Sequence, residues 1–333
     1  MTRSGARAFS IGLAATAAVA GAALIATGCS GQASAGRQDP PVQSDSASAT
    51  APRNTSLPGA DVSKARDGGG DLRRVHFHSR ALGRTDSYLI YLPPGYSNMA
   101  KRGRRFPVLY LLHGDGRHQR HGAGHLFQRG RIGQAAAALM PSGRVQPMLI
   151  VMPESTDSTV VGDTEWANTA RGRFADSVLN LVHAVDRTWP TVASRSARAI
   201  GGLSMGGYGA VNIALHHLSL FSVIESWSGY FSQTPTGVFA GAPRTVLRAN
   251  SPAAYVSRLG PELATHPLHV LLYISRTDPL RVQQGPFADE LRRLGVQVES
   301  DFFGGPHNFA LWSRHMPLAL SFAGRWLSGR GGG

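Results

Sequence analysis

The fold of this chain is decided by the stretch Arg198-Ala199-Ile200-Gly201-Gly202-Leu203-Ser204-Met205-Gly206-Gly207-Tyr208-Gly209-Ala210-Val211. It predicts a short apolar strand, a tight turn that carries Ser204, and the start of a helix. The five residues from Gly202 to Gly206 fit the pattern G-x-S-x-G, in which a serine on a strained strand-to-helix turn serves as nucleophile. The alternative is a glycine-rich turn of a Rossmann-like sheet with no catalytic serine.

Strand and helix patterns alternate on both sides of this turn from residue 71 onward. Repeated strand–helix units predict an α/β fold with a mostly parallel central sheet and helices on both faces. The first two strands are expected to form an antiparallel N-terminal pair. Predicted strands cover residues 75–80, 87–92, 107–112, 148–152, 197–200, 223–227, 268–274 and 296–302, and predicted helices cover residues 174–188, 287–294 and 310–327 besides the one after Ser204.

Two backbone N–H groups are expected to bind an oxyanion beside Ser204. The segment His113-Gly114-Asp115-Gly116 follows the apolar strand at 107–112. In an α/β-hydrolase this loop supplies one donor, and the residue after the nucleophile supplies the other. The predicted donors are therefore the N–H groups of Asp115 and Met205.

A histidine base and a carboxylate should come from loops after the last strands. His307 lies in a Gly-Pro loop after the final strand, and Asp278 lies just beyond the strand at 268–274. The order Ser204, Asp278, His307 is the one expected of this fold. His315 is the nearest rival base, but it falls within a predicted helix. Glu225 and Asp301 fall within predicted strands, and a helix cap is the alternative role for Asp278.

Five motifs are spread over residues 85 to 327: Leu92-Pro93-Pro94-Gly95-Tyr96, Val108-Leu109-Tyr110-Leu111-Leu112-His113-Gly114, Val151-Met152-Pro153, Gly202-Leu203-Ser204-Met205-Gly206-Gly207-Tyr208 and His307-Asn308-Phe309. With them, this part of the chain resembles the esterase-D-like and antigen-85-like branch of the α/β-hydrolases, which includes feruloyl esterases and mycolyltransferases. The resemblance implies the catalytic and oxyanion roles given above. It also implies substrate contacts in the segment from Glu154 to Arg171, where Asp163, Glu165 and Trp166 are candidates.

The first 28 residues have the pattern of a secretory signal peptide. Arg3 and Arg7 precede an apolar run, which ends in Ala26-Thr27-Gly28-Cys29 and resembles a bacterial lipobox. Cys29 is the only cysteine of the chain, so no internal disulfide can form, and lipidation accounts for it. We expect a protein held on the outer face of a membrane. An ordinary cleaved signal peptide or an uncleaved anchor are the alternatives.

Residues 29–70 are rich in Ser, Ala, Gly and Pro and predict a flexible tether, which leaves residues 71–330 as the catalytic domain. The formal net charge of +14 could indicate nucleic-acid binding. No interleaved aromatic residues or recognition motif accompany it, so anionic lipid or envelope polymer is the expected counterpart. The histidines at 113, 118, 121 and 125 match no zinc motif. They predict an exposed loop, and neither a metal nor a cofactor is expected.

The sequence therefore predicts an exported serine carboxylesterase that acts on acyl esters through Ser204, His307 and Asp278. The first rival is an acyltransferase, in which a sugar or lipid hydroxyl replaces water as the acceptor. The second is an envelope-binding protein that keeps the scaffold without catalysis. The sequence indicates no particular acyl chain, alcohol or oligomeric state.

Overall fold

The computed structural model describes residues 61–64, 69–115, 122–154 and 163–328. Cys29, the predicted signal peptide and most of the predicted tether lie outside the described residues. In the described part, no helix is both long and apolar enough to cross a membrane.

Nine strands form one central sheet in the order β1-β2-β3-β5-β4-β8-β9-β10-β11. Strands β1 to β3 run antiparallel to their neighbours, and the six strands from β5 to β11 in that order are mutually parallel. The predicted α/β-hydrolase fold is confirmed, including its antiparallel N-terminal pair. The bounds are β1 Asp61–Lys64, β2 Asp71–Ser79, β3 Arg84–Leu92, β4 Val108–Leu112, β5 Leu149–Pro153, a separate hairpin of β6 Asn168–Thr169 and β7 Gly172–Arg173, then β8 Arg198–Leu203, β9 Val223–Trp227, β10 His269–Ser275 and β11 Gln297–Phe303.

Ten α-helices connect or flank these strands in the described ranges. The long helices predicted from apolar spacing are present, whereas the short ones were not predicted. The bounds are α1 Tyr96–Lys101, α2 Ala123–Arg129, α3 Ile132–Leu139, α4 Phe174–Thr188, α5 Met205–His216, α6 Arg244–Ala249, α7 Pro252–Tyr255, α8 Gly260–Thr265, α9 Arg281–Arg293 and α10 Phe309–Trp326.

Strand β1 and the start of α9 differ most from the sequence prediction. Strand β1 lies inside the predicted tether, where it pairs antiparallel with β2. The pairing is made by backbone hydrogen bonds, which a composition poor in apolar residues does not predict. Helix α9 begins at Arg281, six residues before the predicted start, and it contains Pro286. Proline removes only one intrahelical hydrogen bond, and the burial of Phe287 and Leu291 holds the helix on the sheet.

The sheet separates two hydrophobic layers because successive strand residues point to opposite faces. In β4, Val108, Tyr110 and Leu112 belong to the layer covered by α4, α5 and α9. Leu109 and Leu111 belong to the layer covered by α2, α3 and α10. Every residue of β4 is fully buried, as its continuous apolar sequence predicts. The sheet is thus a rigid support for the loops at the carboxyl ends of its parallel strands.

Glu225 is a buried acid in β9 for which no catalytic role is predicted. Its Oε2 accepts a hydrogen bond of 3.0 Å from the indole N–H of Trp227. Burial raises the pKa of this carboxyl well above its usual value, and the interactions with Trp227 and with the Ala323 backbone only partly oppose that effect. The folded protein therefore retains a proton that the unfolded chain releases.

We expect the free energy of unfolding to fall less steeply with rising pH in Glu225→Gln than in the wild type. The stability that comes from the raised pKa is fully present below the unfolded-state pKa and is lost as pH rises toward the folded-state pKa. The slope of the loss is about 1.4 kcal/mol per pH unit. Urea unfolding of both proteins between pH 5 and pH 8 measures the two slopes. Equal slopes would show that Glu225 is ionised in the folded state.

Candidate active site

The turn at Ser204 joins β8 to α5 in a strained conformation. Ser204 has φ 54° and ψ −119°, a region that non-glycine residues rarely occupy. Its own N–H donates to the carbonyl of Trp227 at 2.7 Å, which ties the turn to the adjacent strand. A Cβ on Gly202 would lie 2.5 Å from the Leu112 carbonyl oxygen, and a Cβ on Gly206 would lie 2.1 Å from the same oxygen. Only glycine fits at these two positions, and the turn consequently presents the Ser204 hydroxyl above the sheet.

The three side chains predicted to act together form one continuous hydrogen-bonded series. His307 Nε2 lies 3.0 Å from Ser204 Oγ, and His307 Nδ1 lies 2.5 Å from Asp278 Oδ2. One tautomer satisfies both contacts: Nδ1–H donates to the carboxylate, and Nε2 accepts from the serine hydroxyl. Asp278 is only 3% exposed, and its other oxygen accepts from the Leu280 N–H at 2.9 Å. The carboxylate therefore has a fixed orientation toward the imidazole.

The loop that carries His307 is held on both sides. The hydroxyl of Ser275 donates to the Gly305 carbonyl, which joins the loop to the end of β10. The Trp312 ring meets the His307 ring edge-on, with centroids 5.1 Å apart, and its indole N–H donates to Ser228 Oγ at 3.0 Å. Neither Trp312 nor Ser228 is predicted from the sequence as part of the site. Their only signal is an aromatic residue in the first turns of the helix that follows His307.

Both predicted oxyanion donors belong to segments that adjoin Ser204. Met205 is the first residue of α5, so its N–H has no intrahelical acceptor. Asp115 follows β4 in a loop that rests on the turn, because a Cβ on Gly114 would lie 2.7 Å from Leu203 and 3.5 Å from Ser204. This arrangement can stabilise negative charge on an oxygen near Ser204.

His113 is buried, contrary to the prediction of an exposed histidine loop. It is 2% exposed, and its ring nitrogens lie 2.8 Å from the carbonyls of Gly114 and Glu154. His125 lies in α2 and packs against the ring of Phe309. The histidines at 118 and 121 are outside the described residues. Within the described ranges, no group of three or more side chains could hold a metal ion.

Trp166, a predicted substrate contact, is buried next to the loop that follows β4. Its side chain is 0% exposed, its indole N–H donates to the His113 carbonyl at 3.0 Å, and its Cβ packs on Gly209 of α5. The indole thus supports the loop that carries Asp115. The burial of its ring could not be predicted, because it depends on residues distant in sequence.

Asp163 and Glu165 lie beside this loop. Glu165 Oε2 accepts from the Tyr230 hydroxyl at 2.5 Å and from the Gln233 amide at 2.9 Å. Burial raises the pKa of Glu165 to about 7, although these two hydrogen bonds lower it. Asp163 is buried, and its Oδ2 fills the space beside Gly237. Both acids therefore lie where the segment after β9 meets the catalytic edge of the sheet.

A family model described as putative esterase matches residues 79–323. An endo-1,4-beta-xylanase/feruloyl esterase of Xylanibacter ruminicola is 29% identical over 161 residues, which cover 48% of this chain and 22% of that protein. An esterase of Mycobacterium tuberculosis is also 29% identical over 161 residues, which cover 46% of this chain and 31% of that esterase. The chain therefore matches less than a third of the length of each relative.

Solved structures of esterases and hydrolases have the same fold. A ferulic acid esterase superposes with a TM-score of 0.69 at 21% identity, covering 78% of this chain and 100% of that structure. A fluorophosphonate-binding serine hydrolase of Staphylococcus aureus gives 0.65 at 21% identity, covering 77% and 99%. An S-formylglutathione hydrolase of Agrobacterium tumefaciens gives 0.65 at 16% identity, covering 80% and 100%.

Proposed function

Because the chain belongs to the putative esterase family and has the α/β-hydrolase fold, we propose that it is an exported serine carboxylesterase that forms an acyl-enzyme on Ser204. It is an esterase of the α/β-hydrolase type. The observation that carries the more specific proposal is the hydrogen-bonded series from Ser204 through His307 to Asp278.

The proposed reaction has two halves. In the first, Ser204 Oγ attacks the ester carbonyl carbon while His307 Nε2 takes the hydroxyl proton, and Asp278 stabilises the resulting imidazolium. The N–H groups of Asp115 and Met205 donate to the oxyanion of the tetrahedral intermediate. Its collapse breaks the ester C–O bond, and His307 returns the proton to the leaving alcohol. In the second half, water attacks the acyl-enzyme by the same route and releases the acid.

We expect hydrolysis to dominate over acyl transfer when both acceptors are present. An acceptor bound beside the acyl-enzyme would gain a large effective molarity, so transfer would already be visible at ~10 mM of a sugar such as trehalose. The Glu165 carboxylate already accepts hydrogen bonds from Tyr230 and Gln233, and nothing in the sequence identifies an acceptor site. Mass spectrometry of the products from simple acyl esters measures the partition. A majority of acylated sugar over the acid would replace the esterase proposal by an acyltransferase.

Export and lipid anchoring are part of the same proposal and rest on the sequence of residues 1–29. The mature protein should begin with an acylated Cys29 in the membrane fraction of the producing cell. N-terminal peptide mass spectrometry tests this directly. A mature chain that begins at another residue would contradict lipidation while leaving secretion intact.

A further inference from the structure

The amino edge of the parallel sheet, opposite Ser204, carries an exposed group of basic side chains. We call it the amino-edge surface, and it consists of Lys101, Arg102, Arg105, Arg144 and Arg187, all of which are exposed. Helix α1 ends at Lys101, shortly before β4 begins, and Arg187 lies in the last turn of α4.

Contacts between distant segments place these residues on one side of the molecule. Arg105 donates to the Thr191 carbonyl at 3.2 Å, and the Phe106 N–H donates to the Pro190 carbonyl at 2.8 Å. The end of α4 therefore lies beside the start of β4. Arg144 precedes β5, the other neighbour of β4, and the adjacent Val145 packs on Gly324 near the end of α10.

The positive charge of this surface is not neutralised by acids within the described ranges. None of its five residues forms an ion pair there. Several acids near the amino edge pair with other arginines, in the pairs Arg198–Asp186, Arg292–Asp289, Arg293–Glu290 and Arg325–Glu299. Basic residues in a last helical turn offset the helix dipole. Arg105 and Arg144 lie outside helices, so the dipole does not account for the whole group.

The opposite, carboxyl edge has a different charge character. The acids around Ser204 are Asp115, Asp163, Glu165 and Asp278, and burial favours the protonated form of Glu165. The exposed Arg276 and Arg281 also lie at this edge, so its charges are of both signs, whereas the five residues of the amino-edge surface are all cations without an acidic partner in the described ranges. Strand β8 has six residues, which separates Ser204 from the amino edge by about 20 Å.

We propose that the amino-edge surface docks on an anionic lipid bilayer and so turns the Ser204 site toward the aqueous side. Basic side chains near a bilayer of anionic lipids are attracted within about one Debye length, roughly 8 Å at physiological salt. The site lies beyond that distance and remains open to solvent. The ester substrate then reaches Ser204 from the aqueous phase or from a polymer, and a lipid of the same bilayer does not.

Fluorescence quenching on vesicles can test this orientation with the full chain. A fluorophore is attached to Ser142→Cys at the amino edge or to Ser232→Cys beside the catalytic edge, each in a Cys29→Ser background. Vesicles contain nitroxide-headgroup lipid in phosphatidylcholine, with or without phosphatidylglycerol. We expect strong quenching at residue 142 only with phosphatidylglycerol, its loss at high salt, and little quenching at residue 232.

Matched charge reversals separate this surface from the net charge of the protein. The triple variant Arg102→Glu/Arg144→Glu/Arg187→Glu should reduce the docked fraction at least ~10-fold, because each basic residue near the bilayer adds to the electrostatic attraction to anionic lipid. Arg80→Glu/Arg248→Glu/Arg314→Glu changes the net charge equally at other exposed positions and should keep the quenching. Both triples should keep the circular dichroism spectrum and the thermal unfolding temperature of the wild type, which serve as the folding control.

Three results would overturn the proposal: equal quenching with and without phosphatidylglycerol, stronger quenching at residue 232, or equal loss in both triples. If the 102/144/187 triple loses affinity only for a soluble anionic polysaccharide, the surface serves a polymer and bilayer docking is refuted. The fluorescence readout does not involve ester hydrolysis, so the proposal stands or falls independently of the esterase.

Discussion

Ser204→Ala should lower kcat/KM for ester hydrolysis at least ~10³-fold, because no other group can form the acyl-enzyme. Some rate above that of water should remain, because the N–H groups of Met205 and Asp115 still stabilise an oxyanion. Initial rates with a chromogenic short-chain ester measure the loss. The fold should survive, because alanine adopts the backbone conformation of Ser204 no less readily than serine does and the Trp227 contact is made by the backbone.

A serine elsewhere provides the matched control for this substitution. Ser232 is exposed and has no place in the proposed reaction, so Ser232→Ala should hydrolyse the ester at the wild-type rate. Thermal unfolding of both variants should match the wild type. If purified Ser204→Ala hydrolyses the ester within tenfold of wild type, the serine mechanism is wrong.

His307→Ala should be almost as damaging, because Ser204 then has no base within hydrogen-bond distance. The double variant Ser204→Ala/His307→Ala should be little worse than either single variant, since the two residues act as a unit. Steady-state rates of the three variants complete the cycle. Losses that multiply across the two sites would mean that the residues act independently.

His315 is the control histidine for this experiment. It lies in α10, and its ring stacks on Phe303 with centroids 3.7 Å apart, away from the Ser204 hydroxyl. His315→Gln should therefore keep hydrolysis within a few-fold of wild type, although the lost ring contact can lower the melting temperature. A loss as large as that of His307→Ala would show that His315 takes part in catalysis and would contradict the assignment of His307 as the only base.

The central sheet could be predicted because its signals are local and strong. The strand at Val223–Trp227 and the helix at Phe174–Thr188 have the predicted bounds, since their apolar spacing is unambiguous. The triad members are brought together as their order along the chain implies, since loops after parallel strands meet at one edge of the sheet. Their catalytic roles remain predictions that the variants above test.

Other features depend on contacts that no short window of sequence contains. The helices α6 to α8 are short and occupy a segment between β9 and β10 with few periodic apolar residues. Trp166 is predicted to contact substrate from its position in the chain, yet the carbonyl of His113 and the close approach of Gly209 bury it. Trp312 and Ser228, which together support His307, likewise lie 84 positions apart in the sequence.

Covalent labelling of the nucleophile is the most direct test of the acyl-enzyme mechanism. A fluorophosphonate reacts when an activated serine oxygen attacks phosphorus and displaces fluoride, and this requires the same base as ester attack. Mass spectrometry of the digested protein should find one phosphonyl group, on the peptide that contains Ser204, and none in Ser204→Ala or His307→Ala. A phosphonyl group on another residue, or an unlabelled Ser204 in a preparation that hydrolyses esters, would contradict the account.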